Sequence, residues 1–401
     1  MKRSAYPFKS IKLTEFLSFG QKSVPLPLGP LNVMIGPNGS GKSNTIEAFA
    51  LLQAAPRDLS RPIREGGGVR DWLWKPAGSG AGAKIEVITA NGSVRRAPRD
   101  MGVRYELGFA AEGHRFALTD ERIQTEQPFV GESQPFTYYD FRNGRPVLAN
   151  TEQGPAKARY AQSLQIDAAQ SILSQRRDPE QYPELTSLGK IFTKIRIYRD
   201  WSFGRYTPPR LPQKADMPND LLQEDASNLG LVLNRLRREP EVKAKLLQEL
   251  SSLYAEVSDF DVSIEAGTVQ VFFTEGRFTI PATRLSDGTL RYLCLLAILC
   301  DPTPGPLVCI EEPELGLHPD VIPSLAKLLV EASSRTQLLV TTHSDILVDA
   351  LSDYPECIIV CEKGAGGTRL RRLEPDKLTS WLEKYRLGNL WTRGEIGGTR
   401  W

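Results

Sequence analysis

The sequence predicts an α/β protein with a mainly parallel core sheet, and three stretches of the chain carry that prediction. Near the N-terminus an apolar run at residues 31–35 precedes a glycine-rich loop and a helical stretch at residues 44–55. Between residues 285 and 350, short apolar runs alternate with helical segments, as is typical of parallel strands covered on both faces. Residues 84–149 instead contain β-like runs separated by turn signals, which predicts an antiparallel β subdomain.

The composition is that of an ordinary globular protein. Of the 401 residues, 40% are hydrophobic and 24% are charged, and the formal net charge of +2 neither indicates nor excludes a nucleic-acid partner. The longest strongly apolar run, at residues 292–300, is short of the about 20 residues that a bilayer requires, and the N-terminus lacks the apolar core of a signal peptide. The five cysteines are scattered in apolar runs. We therefore expect buried free thiols in a cytoplasmic protein without a membrane partner.

The loop after the first apolar run fits the phosphate-binding pattern G-x-x-x-x-G-K-[ST] at every fixed position. Its glycines allow backbone N–H groups to converge on an anion at the positive end of a helix. Lys42 is predicted to reach the β- and γ-phosphates, and Ser43 is predicted to bind Mg²⁺. A chance glycine-rich turn is the alternative, but the flanking strand and helix favour a nucleoside triphosphate site. The residues assigned to it are Gly36, Pro37, Asn38, Gly39, Ser40, Gly41, Lys42, Ser43 and Asn44.

A second concentration of chemistry follows the apolar run at residues 307–310. Glu311 is expected to hold Mg²⁺, and Glu312 to orient and polarise the attacking water. His343, at the end of the next strand, is expected to contact the γ-phosphate or to steady that water. Paired acids at a strand end are often only solvated, and a single histidine is often structural. Their joint occurrence with a phosphate loop favours catalysis.

The segment Leu285-Ser286-Asp287-Gly288-Thr289 opens another helix. Ser286, Asp287 and Gly288 lie where the helix N-terminus exposes backbone N–H groups. This segment therefore predicts a second anion site, able to clamp a γ-phosphate.

Taken in order, the phosphate loop, residues 285–289, residues 310–319 and the Thr-Thr-His-Ser segment at 341–344 resemble the motifs of ABC-class ATPases. The chain is most similar to the non-transporter branch of the AAA family, the SMC/RecF-like and OLD-like ATPases of bacterial genome maintenance and phage defence. The resemblance covers about residues 8–55 and 280–350, and the opening strand that ends at residues 16–20 is similar to RecF-like heads. Two positions depart from the pattern: Glu311 stands where most ABC ATPases have Asp, and Asp287 replaces the first glycine of the usual signature.

The resemblance implies a P-loop NTPase fold, an ABC-type ATPase head, that hydrolyses ATP with Mg²⁺ and forms an ATP-dependent homodimer. The residues of one chain that would face Ser286 and Gly288 of the other are Lys42, Ser43, Glu311, Glu312 and His343. Residues 314–317 would lie across the dimer interface. The predicted segments are 1–83 (N-terminal part of the head), 84–150 (antiparallel β subdomain), 151–260 (helical insertion) and 261–401 (C-terminal part of the head).

Three functions remain open at this level. ATP-dependent dimerisation could drive or gate action on DNA or on a separate effector, a nuclease or a toxin, in phage defence or DNA repair. A slowly hydrolysing scaffold that restrains such an effector would carry the same motifs. A transporter's nucleotide-binding subunit is disfavoured, because roughly 240 residues separate Lys42 from Leu285.

Other features leave alternatives open. Arginine clusters within residues 95–99, 176–177, 235–238 and 369–372 could track DNA phosphates, although such clusters more often face solvent. Gln175 is a candidate for the glutamine that senses Mg²⁺ in the ABC class. The glycine-rich tail that ends at Trp401 could dock on the chain's own core or on a partner.

Overall fold

The computed structural model describes residues 6–77, 82–90, 101–142, 144–151, 159–161, 166–167 and 169–398. Its strands are β1 (Phe8–Thr14), β2 (Leu26–Pro27), β3 (Leu31–Ile35), β4 (Ala83–Thr89), β5 (Val103–Glu112), β6 (Arg115–Pro128), β7 (Pro135–Arg142), β8 (Arg145–Asn150), β9 (Arg159–Ala161), β10 (Arg196–Tyr198), β11 (Gln213–Lys214), β12 (Val257–Glu265), β13 (Thr268–Glu275), β14 (Phe278–Pro281), β15 (Leu307–Glu311), β16 (Gln337–Thr341), β17 (Ile358–Gly364) and β18 (Gly367–Arg372). Its α-helices are α1 (Lys42–Ala54), α2 (Ser60–Glu65), α3 (Val69–Trp72), α4 (Ile172–Gln175), α5 (Pro183–Thr193), α6 (Leu229–Leu236), α7 (Pro240–Leu253), α8 (Asp287–Leu299), α9 (Ile322–Ala332), α10 (Asp345–Ala350), α11 (Pro375–Leu382) and α12 (Leu387–Thr392).

The chain divides into two compact units. Unit 1 comprises Met1–Ile195, Glu356–Leu373 and Ile396–Trp401, and unit 2 comprises Arg196–Pro355 and Glu374–Glu395. The phosphate loop therefore belongs to unit 1, whereas the acidic and signature segments belong to unit 2.

Unit 1 contains an antiparallel sheet with the strand order β2-β1-β4-β5-β6-β7-β8-β9. Strand β4 alternates strictly between buried and half-buried residues, which is the pattern of a strand with one face on the core. The predicted antiparallel β subdomain is thus present. It also includes β1, which pairs with β4, so the sheet begins earlier in the chain than residue 84. Among the turn signals of this segment, Asn91-Gly92 and Asn143 lie outside the described residues.

Strand β3 positions the phosphate loop. All five of its residues are buried, and it pairs in parallel with β17, which is joined to β18 by an antiparallel hairpin. Its one polar residue, Asn32, is accommodated because its amide donates to Gly29 O at 2.9 Å and accepts from Gly29 N at 2.9 Å. A fully buried strand is expected in a parallel sheet whose two faces are covered by helices.

Unit 2 contains the parallel strands β10, β15 and β16, with β15 in the middle. Helix α8 is buried along most of its length from Leu290, as its apolar sequence predicts. Strands β12, β13 and β14 form an antiparallel meander, and β11 pairs with the edge of β13. The strand ends that carry Glu311 and Thr341 are direct neighbours across the β15–β16 pair.

The prediction of a helical insertion over residues 151–260 is only partly correct. This stretch also contains β9, β10, β11 and the first four residues of β12, and its helix α6 is short, spanning Leu229–Leu236. A three-residue strand such as β10 has no detectable periodicity in the sequence. Residues before α6 are held in an irregular turn by Asn228, whose side chain donates to Pro218 O and Leu221 O and accepts from Gln223 N.

The cysteines follow the prediction: all five are buried and unpaired, and burial raises the pKa of the Cys361 thiol to about 12. None of the helices in the described part of the chain has the length and apolar character needed to cross a membrane.

Candidate nucleotide site

The phosphate loop connects β3 to α1 and folds as its glycines predict. Gly36, Gly39 and Gly41 have φ values of 148°, 72° and 104°, which side chains rarely tolerate. At Gly41 space also forbids a side chain, because a Cβ there would lie 2.7 Å from Ser18 Oγ. Asn38, Gly39 and Ser43 are exposed on the outer rim of the loop.

Lys42 lies across this loop. Its side chain is buried, and Nζ donates to Gly36 O at 2.8 Å and to Pro37 O at 3.0 Å. The first N–H groups of α1 have no acceptor within the helix, as in every α-helix. These groups and the ammonium form the concave donor set that the sequence predicted for phosphate oxygens.

The loop contains one further group that fits an anion. Ser40 is 1% exposed, and its Oγ has no hydrogen-bond partner among the described residues. A buried hydroxyl without a partner costs about 1–3 kcal/mol, and a phosphate oxygen would accept its proton. The loop residues present therefore fit a nucleoside triphosphate.

The back of the loop rests on residues that sequence reasoning missed. Thr368, in β18, donates from Oγ1 to Ser40 O at 2.8 Å and lies 2.7 Å from Ser18 Oγ. Asn44 in turn donates from Nδ2 to Ser18 Oγ at 2.7 Å. In the sequence, residues 16–20 indicate only the end of an opening strand that is similar to RecF-like heads. Because Ser18 and Thr368 are 350 positions apart, no local pattern could have paired them.

The glycine-rich tail docks on the chain's own core as far as residue 398. Arg371 donates to Ile396 O at 2.8 Å, and Gly398 N donates to Glu362 Oε1 at 3.0 Å. A Cβ on Gly398 would lie 3.5 Å from the Cα of Gly36, so the tail reaches the start of the phosphate loop. The last three residues lie outside the described part.

In unit 2, Glu312 and His343 come together as predicted. Glu312 Oε1 lies 3.6 Å from His343 Nε2, and both side chains are partly exposed. Glu312 has a φ of 44°, in the left-handed region that non-glycine residues seldom adopt. Its N–H donates to Thr341 O at 3.0 Å, which holds the residue in this conformation. Strained residues of this kind cluster at functional sites.

Glu311 is the last residue of β15 and Ser43 lies in the first turn of α1. A carboxylate and a hydroxyl are oxygen ligands of the kind that Mg²⁺ prefers, so the donor types fit the predicted metal.

The signature segment forms the N-terminus of α8. Ser286 is its N-cap residue, since its Oγ accepts from Thr289 N at 3.1 Å and lies 2.7 Å from Thr289 Oγ1. Gly288 approaches the loop after Glu312 so closely that a Cβ would lie 2.8 Å from Gly316 O. A side chain at this position would therefore push the signature away from the acidic segment.

Arg210 forms an ion pair with Asp287, the acidic residue of the signature segment. Its guanidinium is 9% exposed and makes an ion pair with the Asp287 carboxylate, which is itself exposed. It also donates to Phe203 O at 2.7 Å and to Leu285 O at 2.7 Å. The charge of Asp287 is thereby offset next to the helix N-terminus.

Beside the signature lies a cleft of about 340 Å³ lined by Trp201, Phe203, Asp287, Gly288, Arg291 and Gly316 among others. Arg291 stacks over the Phe203 ring at 5.2 Å and over the Trp201 ring at 5.8 Å.

Gln175 and the arginine clusters, two features whose roles the sequence left open, make contacts within the fold. The Gln175 side chain is engaged locally, since Nε2 donates to Asp167 O and Gln170 O and Oε1 accepts from Asp167 N. Among the arginine clusters, Arg235 pairs with Asp301, Arg237 pairs with Asp261, and Arg372 donates to Pro27 O. The cluster at residues 95–99 lies outside the described residues. Where the structure describes them, these arginines mainly stabilise the fold.

Comparisons with known proteins agree with this geometry. A family model described as "AAA domain, putative AbiEii toxin, Type IV TA system" matches residues 31–349. No curated protein sequence matches the chain.

Several solved structures are similar to the chain. A crystal structure of the SmcHead bound to the C-winged helix domain of ScpA aligns with a TM-score of 0.58 and 16% identity, covering 92% of this chain and 99% of that one. A Pyrococcus furiosus Smc head domain with an extended coiled coil, bound to the C-terminal domain of ScpA, aligns with a TM-score of 0.54 and 15% identity. This alignment covers 94% of this chain and 99% of that one. A Pyrococcus yayanosii Smc head domain with a coiled coil and joint aligns with a TM-score of 0.51 and 12% identity, again covering 94% of this chain and 99% of that one. At such identities the likeness concerns the fold. It confirms the predicted SMC-like head fold, while the likeness to OLD-like ATPases remains a prediction.

Proposed function

The chain belongs to the AAA-domain family whose model it matches, and from that membership we propose that it is a Mg²⁺-dependent ATPase that works as an ATP-driven dimerisation switch. The observation that carries this proposal is the strained Glu312, 3.6 Å from His343 at the ends of two neighbouring parallel strands. A carboxylate and an imidazole in that arrangement are suited to handling the proton of an attacking water.

In this proposal the phosphate loop binds the triphosphate. The N–H groups at the start of α1 and the Ser40 hydroxyl donate to phosphate oxygens, and Lys42 exchanges its carbonyl acceptors for the β- and γ-phosphates. Glu312 accepts a proton from the water whose oxygen forms the new bond to the γ-phosphorus, while the bond to ADP breaks. His343 keeps the Glu312 carboxylate and that water in place.

Ser43 and Glu311 are the residues that we assign to Mg²⁺. The ion would neutralise the charge that develops on the phosphate oxygens. Glu311 is one methylene longer than the aspartate usual at this position.

The proposal of a homodimer rests on the signature segment. Ser286 and Gly288 present a helix N-terminus at the surface, and the pairing of Arg210 with Asp287 leaves that end suited to an anion. We propose that this end binds the γ-phosphate held by a second copy of the chain, so that ATP joins the two copies and hydrolysis separates them.

The target of the switch is proposed to be a partner protein. Arg235, Arg237 and Arg372 of the described clusters are held by contacts within the fold, which weakens the case that these clusters track DNA phosphates. The family description contains the words "putative AbiEii toxin, Type IV TA system", and a toxin–antitoxin system has two components, which supports an effector protein, a nuclease or a toxin, as the partner. The second candidate function is therefore a slowly hydrolysing scaffold that restrains this effector; action on DNA in repair or phage defence is the other alternative.

The first experiment measures ATP turnover and molar mass in solution for the wild type and Glu312→Gln. Removing the base should lower kcat by at least about 100-fold, because general-base catalysis contributes about 10²–10⁴-fold. The variant should still bind ATP and accumulate as a dimer, because it lacks the group that accepts the proton of the attacking water but keeps its contacts to the phosphates.

Lys42→Ala is the matched control, because it should lose ATP binding and therefore also the dimer. Turnover of Glu312→Gln at the wild-type rate would contradict the assignment of the base. Adding duplex DNA separates the targets: stimulation of the wild type would favour action on DNA, and no effect would favour the effector protein. Rapid turnover of the wild type would favour the ATP-driven switch, and slow turnover would favour the scaffold that restrains the effector.

A further inference from the structure

Glu314 holds the loop that carries His343. Its Oε1 accepts from Thr342 Oγ1 at 2.6 Å and from His343 N at 2.9 Å. Thr342 Oγ1 also accepts from Ser344 N at 2.9 Å, so one carboxylate oxygen organises three consecutive residues. These bonds join the segment after β15 to the segment after β16.

The surroundings of Glu314 differ from those of a residue that faces a partner subunit. Its Oε2 is buried and has no hydrogen-bond partner in the described part of the chain, and burial raises the pKa of the carboxyl. By contrast, the neighbouring Leu315 is 55% exposed. The expectation that residues 314–317 lie across a dimer interface stays a prediction, whereas the Glu314 carboxylate already has an assigned place within its own chain.

The geometry of the two loops ties Glu314 to the predicted catalytic pair. His343 N is fixed by Glu314, and its imidazole lies 3.6 Å from Glu312. Glu312 is fixed in turn through its own N–H to Thr341 O, two residues before His343. A shift of the His343 loop would therefore change the distance between the acid and the imidazole.

We propose that Glu314 is a positioning residue for ATP hydrolysis, which holds His343 beside Glu312 without itself contacting the nucleotide. This inference rests on the proposed function of the Glu312–His343 pair. It assigns to Glu314 a role in kcat and not in ATP binding, because its acceptor oxygen is used by the loop.

The test compares Glu314→Ala with Glu314→Gln. The alanine variant loses the acceptor, and we expect kcat to fall about 10- to 100-fold, since small displacements of catalytic groups have effects of that size. Its ATP affinity should stay within about twofold of the wild type. Glutamine retains an acceptor oxygen and should recover most of the lost kcat.

Two further variants keep the test decisive if Glu314→Ala is unstable. Thr342→Val removes one donor to Glu314 and should lower kcat less, and its effect should largely vanish when combined with Glu314→Ala. Glu383→Ala, at an exposed position of the same unit, is the control for loss of a carboxylate. Thermal melting establishes which variants are folded.

The outcomes separate this inference from the proposed function. A wild type that does not hydrolyse ATP would overturn the proposed function. An active wild type with wild-type kcat in Glu314→Ala would overturn only the positioning role. Equal losses of ATP affinity and kcat in Glu314→Ala and Glu314→Gln would also overturn it, because they would indicate a general structural role.

Discussion

At the scale of single residues, the site depends on side chains held in costly states. Glu312 adopts a left-handed backbone conformation, which costs about 1–3 kcal/mol, and the bond from its N–H to Thr341 O helps to hold it there. Arg210 is buried and reaches three backbone carbonyls as well as Asp287. Such states persist only where the surrounding fold stabilises them, which supports the catalytic role proposed for Glu312.

Glu121 shows the same principle in the β subdomain. The residue is fully buried, accepts from Tyr105 OH and Ile172 N at 2.8 Å each, and also accepts from Ser171 Oγ. Burial outweighs these donors and raises the pKa of the carboxyl from about 4.5 to about 7.

This pKa leads to a prediction for Glu121→Gln. Between pH 4.5 and 7 the folded wild type keeps a proton that the unfolded chain releases. The resulting stabilisation is therefore complete below pH 4.5 and is lost as the pH rises to 7, with a total on the order of 3 kcal/mol. The free energy of unfolding of the wild type relative to Glu121→Gln should fall over this range and level off above it.

Denaturant unfolding of both proteins between pH 5 and 8 measures this difference. Glu112→Gln, at an exposed position of the same sheet, serves as the control. A difference between wild type and Glu121→Gln that does not change with pH would show that the pKa of Glu121 is not raised.

At the scale of elements, the β17–β18 hairpin supports the phosphate loop. Thr368 N donates to Ser18 O at 2.8 Å, and its side chain bonds Ser40 O and Ser18 Oγ. The hairpin therefore braces the loop from behind while the front of the loop stays open to solvent.

Thr368→Val tests this support. Valine preserves the shape of the side chain but removes the donor to Ser40 O and the hydroxyl partner of Ser18 Oγ, at a cost of about 1–3 kcal/mol. Because ATP must then order a looser loop, we expect its affinity to fall by about tenfold. Calorimetric titration of a nucleotide measures the change.

Thr379→Val is the matched control, since the Thr379 hydroxyl bonds only carbonyls of its own exposed helix. If Thr368→Val lowered the free energy of unfolding but left the ATP affinity unchanged, the hairpin would contribute to the stability of the fold and not to the ordering of the phosphate loop for ATP.

At the scale of the whole molecule, the proposed dimer has composite sites, each made of the phosphate loop of one chain and the signature of the other. Lys42→Ala and Ser286→Arg should each be inactive alone. In an equal mixture about half of the dimers would combine both variants and contain one intact site, so turnover should recover to at most about a quarter of the wild type.

Turnover of the mixture as a function of the ratio of the two variants measures this recovery, with each variant mixed with itself as the control. No recovery at any ratio, in a mixture shown to contain mixed dimers, would contradict composite sites.

Much of this protein could be predicted from the sequence because its main motifs are local. The phosphate loop, the acid pair at the end of β15 and the signature at the start of α8 each lie within fewer than ten residues, and local sequence determines turns, caps and strand ends. The order of these motifs also predicted the head-like fold, which the structural comparisons confirm.

Only the tertiary structure decided what holds these motifs in place. Ser18 meets Thr368 across 350 positions, Arg210 meets Asp287 across 77, and Glu314 meets His343 across 29. The three-residue strand β10 likewise exists because β15 pairs with it. Contacts between distant segments depend on burial and geometry that no short window of sequence contains, and the residues that support the site are therefore visible only in the folded chain.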